Sequence, residues 1–459
     1  MENTKKSVNL TNGNLFKKIL IFALPIMASG LLQLFYSAAD LVVCGKFGSG
    51  HSVAAISATT ALINLMVQLF IGMSVGSNVL MARAYATNDK TRAKTILNTS
   101  IIFALSIGIV LTIIGFFCSR LFLTWMNTPD DVIDLSTDYL KIYCLGLIFS
   151  MIYNFGSALV RATGDTKNPF IFLVIAGIIN ICFNLLFVIV FNLDVKGVAI
   201  STVISEAVSA FLIILLLLKG NILFKLNIKE LKLSKKDLID IAHIGIPAGI
   251  QNSVFSVANV LIQSSINSLG AITMDADGAS SSLEGFVYTV MNAIAQATLV
   301  FVSANYAVNN KKNIKKSLIY SIILCSIFSA IAGGLVIIFG KQLLSLYTNY
   351  DEAISIGYKR LVILCSTYFL CGYIDILSFA IRGIGYSLVP TLVTTAGCCV
   401  YRVIWVLTVF KIDKYHTNTT LSLAYPISWI ITSGVHLICF IYFFRKIKIN
   451  DSIKDLELN

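Results

Sequence analysis

The sequence has little charge, few prolines and few potential metal ligands. Lys, Arg, Asp and Glu make up only 13% of its 459 residues. A soluble domain typically has roughly 25% of these residues. There are six prolines and four histidines, and the histidines (His51, His243, His416 and His436) do not cluster. Composition therefore argues against a soluble globular protein, and the histidine spacing argues against a metal site.

Catalytic and cofactor motifs are also absent from the sequence. It contains no H-E-x-x-H, no G-x-S-x-G and no C-x-x-C pair among its ten cysteines, so it lacks the signatures of a zinc protease, a serine hydrolase and a thiol redox centre. The stretch "GLVIIFGKQ" at 334–342 fails as a nucleotide-binding loop because five residues separate its glycines and Gln342 replaces Ser or Thr. We expect no enzyme activity, no cofactor and no metal ion other than Na⁺.

Long apolar runs are what the sequence has in abundance. Hydrophobic residues make up 57% of the chain and the mean hydropathy is +0.83. Apolar runs of about 18 residues or more are typical of membrane-spanning helices, so the sequence predicts an all-α polytopic membrane protein. The twelve predicted spans are residues 18–44, 53–82, 96–118, 135–160, 169–192, 197–218, 240–268, 279–303, 317–340, 354–381, 388–410 and 419–444.

The distribution of positive charge predicts the orientation of these spans. Twelve spans put both termini on one side, and that side contains 25 Lys and Arg residues, against 6 on the opposite side and 4 in the spans. By the positive-inside rule, both termini are cytoplasmic in a multi-pass protein of the cell membrane. This asymmetry explains the net charge of +12, so we expect no nucleic-acid partner.

The two halves of the sequence repeat each other at an offset of about 221 residues. Pro25 and Pro247 lie in matching stretches, where we expect each proline to begin its helix and to act as a hinge. "RATGDTKNP" at 161–169 likewise matches "RGIGYSLVP" at 382–390. Each half has six spans, so the halves share one orientation and form a parallel repeat of two pseudo-symmetric six-helix bundles. The predicted segments are an N-terminal bundle at 1–218, a basic cytoplasmic linker at 219–238, a C-terminal bundle at 239–446 and a cytoplasmic tail at 447–459.

The repeated loop motif has a structural explanation. Gly164 and Gly385 permit a tight turn between two spans. Arg161 and Arg382 fit the positively charged cytoplasmic side. We interpret all four residues as parts of structural turns, with no role in substrate binding.

Few ionisable side chains fall inside the predicted spans. A charge at mid-bilayer costs roughly 2.5–3.5 kcal/mol on insertion scales, so an intramembrane acid usually has a function. At the rise of an α-helix, the first, fifth and sixth spans place a group of polar residues roughly 9–21 Å below the outer loops. This polar group consists of Asp40, Asn180, Asn184 and Thr202, and Glu206 and Asp375 are further acids within the spans.

Position alone leaves other interpretations of these residues open. Asp40 lies 22 residues after Lys18, about 33 Å of helix, which nearly exhausts a bilayer core of about 30 Å. Its carboxylate can therefore also reach the outer surface. Asn180 and Asn184 share one helix face, and hydrogen bonding between membrane helices explains them as well as ion binding does.

Several stretches resemble the multidrug and toxic compound extrusion (MATE) transporters, over nearly the whole chain. They are "LPIMASGLLQLFYSAADLVVCGKFG" in the first span, "RATGDTKNP" after the fourth, "NICFN" in the fifth, "GVAIST" in the sixth and "YPISW" in the twelfth. These motifs look most like the bacterial and archaeal DinF-like branch. The resemblance implies an antiporter that exports drugs or toxins, often organic cations, in exchange for H⁺ or Na⁺.

The resemblance also implies roles for individual residues. The branch uses a first-span Asp fifteen residues after the proline, a fifth-span Asn, an Asp four residues later, and a sixth-span Thr. Asp40, Asn180 and Thr202 match this pattern, whereas Asn184 departs from it. An amide can offer its oxygen to Na⁺, but it supplies neither charge nor a proton. The resemblance thus implies a candidate ion site of these four residues, in which Asp40 is the only acid unless Glu206, one turn beyond Thr202, takes part. Asp375 is a second candidate for ion or substrate binding.

We therefore predict a secondary active multidrug efflux antiporter that works as a monomer and contacts its drug through Gln33, Tyr36 and Asn154.

A lipid-linked oligosaccharide flippase of the same superfamily is one alternative to this prediction. It would need several cationic side chains for a pyrophosphate, and Arg402 is the one obvious candidate in the spans. A membrane sensor or scaffold without transport is another alternative. The sequence has no recognisable soluble sensory domain to support it, and this alternative does not explain Asp40.

The predicted topology can be tested by cysteine labelling. Lys315→Cys should react with a membrane-impermeant maleimide only after the cells are permeabilised, and Asp275→Cys should react in intact cells. Both variants are made after reactive native cysteines have been replaced, and that background alone is the control. Labelling of residue 315 in intact cells would overturn the twelve-span topology.

Overall fold

The computed structural model of the chain describes residues 8–48, 50–126, 128–220 and 225–447. Within these ranges the secondary structure is helical, and no β-strand occurs. Eleven helical stretches in the described ranges are long and apolar enough to cross a membrane, and a helix pair bent by 45° supplies the twelfth span. The predicted all-α polytopic fold is confirmed.

The first half of the chain forms six long helices. Most extend a few residues beyond the predicted spans, because a helix continues past the apolar core that hydropathy detects. They are α1 (Leu15–Phe47), α2 (Ser52–Ala86), α3 (Lys90–Trp125), α4 (Asp130–Ala162), α5 (Lys167–Leu185) and α6 (Asp194–Lys219). A π-helical stretch, Leu186–Val190, continues α5.

The second half forms the remaining spans from nine helices. They are α7 (Lys235–Asn267), α8 (Ala271–Ala307), α9 (Lys311–Ile338), α10 (Gly340–Leu344), α11 (Asp351–Cys365), α12 (Tyr368–Gly383), α13 (Leu388–Thr394), α14 (Tyr401–Leu407) and α15 (Asn418–Lys446). A π-helical stretch, Thr395–Val400, joins α13 to α14. Both repeats therefore contain π-helix in their fifth span, where such stretches often mark functional sites.

The predicted span at 354–381 consists of two helices, α11 and α12, with a break between them. At the break the Thr367 hydroxyl donates to the carbonyls of Ile363 at 2.9 Å and Leu364 at 3.2 Å. A threonine that bonds back to its own helix competes with the backbone and bends it. The 45° bend follows from this local chemistry, which hydropathy does not reveal.

Contacts between Cα atoms group the chain into two compact units. Unit 1 contains Ala28–Ser253 with Val8, and unit 2 contains Asn9–Met27 with the chain from Val254 onward. The first half of α1 thus belongs to unit 2, and the first half of α7 belongs to unit 1. The order of the helices along the chain cannot reveal that α1 and α7 each divide between the units. The predicted segment boundaries at 218 and 239 stay a prediction.

Pro25 and Pro247 lie inside α1 and α7, so the prediction that they begin their helices is wrong. α1 begins at Leu15 and α7 at Lys235. The prediction failed because the polar and lysine-bearing residues before each proline are also helical. A proline in a helix interior removes one backbone hydrogen bond and favours a kink. In both helices this weak point lies a few residues before the boundary between the units.

Within unit 1, glycines let α2 and the first half of α7 approach closely. A Cβ on Gly72 would touch the backbone of Gly249, and one on Gly245 would lie 2.6 Å from the Cα of Met73. Gly76 likewise faces the backbone of α7 at Ile241. The G-x-x-x-G pattern of α2 therefore serves close packing, and its partner is a second G-x-x-x-G pattern in α7.

This packing predicts that Gly249→Ala destabilises the protein by about 1–3 kcal/mol, the usual cost of overpacking. A Cβ on Gly249 would collide with the Leu69 carbonyl, whereas one on Gly434 in α15 would meet open space. Gly434→Ala is therefore the matched control and should be neutral or slightly stabilising. Thermal unfolding of the purified variants measures both, and equal melting temperatures would contradict the proposed close approach.

Candidate functional site

Polar side chains from α1, α5 and α6 meet inside unit 1. The Asn184 amide nitrogen donates to Asp40 Oδ1 at 2.5 Å and to Asn180 Oδ1 at 3.2 Å. The Asn180 amide nitrogen donates to the Thr202 hydroxyl at 3.5 Å, and Thr202 donates to the Val198 carbonyl at 3.0 Å. The structure thus joins the four residues of the candidate ion site in one chain of hydrogen bonds.

The direction of this hydrogen-bond chain fits an ionised Asp40. Asn184 turns an N–H toward the carboxylate, while its own oxygen, Oδ1, is buried without a hydrogen-bond partner. An asparagine amide exchanges its donor and acceptor ends by rotating half a turn. After that rotation the oxygen would face Asp40, where it could accept a proton from a protonated carboxyl or bind a cation.

Close contact between α1 and α5 positions Asp40. Tyr36 lies one helical turn before Asp40 on α1, and its hydroxyl donates to the Leu173 carbonyl of α5 at 3.4 Å. The Tyr36 ring occupies the space that a Cβ on Gly177 would fill. Gly177 therefore lets α1 lie against α5, and this contact brings Asp40 within reach of Asn184.

Glu206 lies on α6 but faces α4. A Cβ on Gly146 would be 2.6 Å from Glu206 Oε2, and this oxygen is buried without a hydrogen-bond partner. Tyr139 and Tyr143 of α4 interact electrostatically with both Glu206 and Asp40. The structure therefore places Glu206 in the same polar interior as Asp40 but outside the hydrogen-bond chain.

The predicted drug contacts differ in their environments. Tyr36 packs on α5, the Gln33 side chain is exposed, and the Asn154 amide donates to the Ser150 carbonyl of its own helix at 2.9 Å. In the described ranges, no hydrogen bond joins Gln33 or Asn154 to Asp40. Their role in drug binding stays a prediction.

Of the predicted loop residues, the two glycines lie in turns and the two arginines lie in the last turns of the preceding helices. Gly164 and Gly385 have φ values of +91° and +111°, a backbone region that favours glycine. Arg161 of α4 donates to the Ser157 hydroxyl at 3.2 Å, and Arg382 of α12 donates to the Thr391 hydroxyl at 3.4 Å. A purely structural role for the arginines stays a prediction.

In unit 2, Asp375 faces a row of polar side chains on α8. The Gln296 amide donates to Asn292 at 2.8 Å, and the Asn292 amide donates to the Tyr288 hydroxyl at 3.3 Å. Tyr288 and Asn292 also hydrogen-bond to Asp375, whose Oδ2 atom is buried without a partner. Asp375 therefore has a polar environment of its own, in which no residue of the Asp40 chain takes part.

Sequence reasoning missed a buried ion network in unit 2. The Arg360 side chain is 3% exposed and lies 2.5 Å from Asp277 and 2.9 Å from Glu284. Arg402 donates to the Ser428 hydroxyl at 3.1 Å. The Tyr425 ring lies near both guanidinium groups, 4.1 Å from Arg402 and 5.5 Å from Arg360.

Two sequence signals could have found this network. Asp277 and Glu284 are seven residues apart, which places both acids on one face of a helix. An arginine near apolar sequence, such as Arg360, also needs an acidic partner. With Arg402 the network has two acids and two arginines, so its charges balance.

A family model described as MatE matches residues 25–186 and 247–407 of the chain. The chain is 27% identical over 391 residues to the probable multidrug resistance protein YoeA of Bacillus subtilis (strain 168), covering 83% of this chain and 84% of that protein. It is 22% identical over 343 residues to the multidrug export protein MepA of Staphylococcus saprophyticus, covering 74% and 75%. The two matched stretches fall one in each sequence repeat.

Solved structures show the same fold. A crystal structure of MATE in complex with MaL6 has a TM-score of 0.90 at 20% identity and covers 97% of this chain and 99% of that chain. A MOP superfamily transporter from Pyrococcus furiosus Vc1 has the same TM-score, identity and coverage, and its binding pocket is described as having reverse polarity that suggests a different function. Likeness at this identity shows the fold alone.

The ion network predicts that Arg360→Gln destabilises the protein by about 3–5 kcal/mol, because removal of one partner leaves buried charges unpaired. Adding Asp277→Asn removes the excess negative charge and leaves Glu284 with Arg402, so the double variant should recover most of the loss. The control is Arg120→Gln, which breaks the exposed pair with Asp134 and should change little. Thermal unfolding measures all variants, and a double variant no more stable than Arg360→Gln would contradict the network.

Proposed function

The chain belongs to the MatE family of membrane transporters, and on that basis we propose that it is a secondary active multidrug efflux antiporter. It exports organic compounds, many of them cationic, in exchange for an ion taken up through Asp40. We place it in the cell membrane as a monomer of the DinF-like branch, with both termini cytoplasmic. The sequence similarity to multidrug resistance and export proteins supports this class of cargo.

The observation that carries the coupling proposal is the hydrogen-bond chain from Asp40 through Asn184 and Asn180 to Thr202. It links the only acid of the cluster to two neutral amides and a hydroxyl. Neutralising Asp40 removes the charge that holds the Asn184 N–H in place. Rotation of the amides then changes how α5 holds α1, and Pro25 favours a bend in α1.

The composition of the site favours H⁺ over Na⁺ as the coupling ion. A hard cation prefers several oxygen ligands, with charged carboxylates among them. Asp40 is the one carboxylate of the hydrogen-bond chain, and the group nearest to it is an N–H of Asn184. A proton needs only Asp40 itself and an acceptor such as the buried oxygen of Asn184.

The network of unit 2 weighs against a lipid-linked oligosaccharide flippase. A pyrophosphate site needs several available cationic side chains. Arg360 is paired with Asp277 and Glu284, and Arg402 is buried at 2% exposure beside Ser428. The two arginines are thus occupied by the protein's own groups.

The coupling proposal predicts that Asp40→Asn abolishes gradient-driven efflux while the protein still folds and inserts. The amide is nearly isosteric and lowers the insertion cost, but it can neither release a proton nor neutralise a cation. The assay is efflux of a fluorescent cationic dye from proteoliposomes under an imposed pH gradient. Asp134→Asn is the control, because the Asp134 side chain is 76% exposed.

Asn184→Asp is the companion variant, with a different expected result. It adds a second carboxylate beside Asp40 and should make efflux dependent on a Na⁺ gradient, because hard cations favour charged oxygen ligands. Wild-type efflux in Asp40→Asn would reject Asp40 as the coupling acid. Glu206 and Asp375 would then be the acids to replace next.

A further inference from the structure

The segment 225–240 connects α6 to the first turns of α7, and its acids are paired or buried whereas its lysines are exposed. Glu230 binds Lys94 of α3, and Asp240 lies 3.3 Å from Arg92 of α3. Asp237 is 5% exposed. The hydrogen bond from Lys94 lowers the pKa of the Glu230 carboxyl, so this acid stays ionised and paired. The five lysines of the segment are all exposed, at positions Lys225, Lys229, Lys232, Lys235 and Lys236.

Two large apolar side chains lie among these lysines and also face outward. Ile228 is 61% exposed and Leu233 is 48% exposed. Their neighbour Leu226 is only 2% exposed, and its backbone N–H donates to the Leu217 carbonyl at 3.0 Å. We call the exposed set, Ile228 and Leu233 with the five lysines, the lysine face.

The backbone of the segment is fixed, so the lysine face has a defined direction. The Asn98 amide donates to the Glu230 carbonyl at 3.2 Å, and the Ser234 N–H donates to the Thr99 hydroxyl at 3.0 Å. These bonds hold the inner side of the segment on α3. The lysines and the two apolar side chains are therefore presented to whatever lies outside unit 1.

The position of the segment indicates what lies outside. It directly connects two spans, because α6 ends at Lys219 and α7 begins at Lys235. A short connection between spans stays at the membrane boundary, where anionic headgroups attract lysines. Apolar side chains among lysines suit the boundary between headgroups and acyl chains. A nucleic acid would need no exposed isoleucine and leucine.

We propose that the lysine face is a docking surface for anionic lipid headgroups of the membrane in which the chain is embedded. The lysines bind the phosphates, Ile228 and Leu233 enter the headgroup boundary, and the paired acids keep opposing charge away from the contact. The proposal is independent of the exported compound and of the coupling ion.

A photo-crosslink at residue 233 tests the proposal in the full-length chain. p-Benzoylphenylalanine replaces Leu233, and the protein is reconstituted in nanodiscs with equal amounts of phosphatidylglycerol and phosphatidylcholine. Mass spectrometry identifies the adducts. Each lysine near an anionic surface contributes about 1 kcal/mol, roughly a fivefold effect, so phosphatidylglycerol adducts should exceed phosphatidylcholine adducts by about fivefold or more.

Two charge variants complete the experiment. Lys229→Gln with Lys232→Gln removes two of the five lysines and should lower the adduct ratio severalfold. Lys315→Gln with Lys316→Gln removes two exposed lysines elsewhere and should leave the ratio at residue 233 unchanged. Equal adducts of both lipids in the unmodified lysine face, or adducts to water or protein without lipid, would overturn the proposal. A ratio that Lys229→Gln and Lys232→Gln leave unchanged would overturn it too.

Discussion

A carboxylate inside a bilayer must obtain from the protein the hydrogen bonds that water would otherwise give it. A hydrocarbon core offers no partners. Within the protein, Asp40 accepts a hydrogen bond from the Asn184 amide, which also donates to Asn180. This requirement fixes α1 against α5, since the amide reaches Asp40 only when the two helices are close. Gly177 permits that approach by leaving room for the Tyr36 ring.

The two units satisfy the same requirement in different ways. Unit 2 pairs Arg360 with Asp277 and Glu284, and Arg402 completes a network with balanced charge. In unit 1, Asp40 of the hydrogen-bond chain is surrounded by neutral amides, and in unit 2 Asp375 likewise faces the neutral groups of Tyr288 and Asn292. An acid without a basic partner changes the net charge of its site when a proton or cation binds, whereas the Arg360 network is already neutral. This contrast supports the proposal that coupling takes place at an acid such as Asp40, and it favours a structural role for the Arg360 network.

Hydropathy alone predicted most of the fold, because the twelve apolar runs are long and separated by polar loops. The four residues of the candidate ion site could also be grouped from their depth, and the structure joins them. Other features depend on tertiary contacts and could not be predicted this way. The bend at Thr367 comes from side-chain bonding to the helix backbone. The Arg360 network was not predicted because Arg360 and Glu284 lie near the ends of their predicted spans.

The exchange of helix halves between the units has a common cause in the repeat. The glycine contact of α2 with α7 has a counterpart in unit 2, where Phe22 of α1 packs edge-on against Phe301 of α8 with ring centroids 5.6 Å apart. At the positions equivalent to the glycines, Ala23, Ala293 and Ala297 are buried. Small residues thus recur in both pairs, since close helix contact in a membrane requires them. In the α2–α7 pair the backbones meet at glycines, so a transporter that alternates between conformations could separate and re-form this contact without disengaging large side chains.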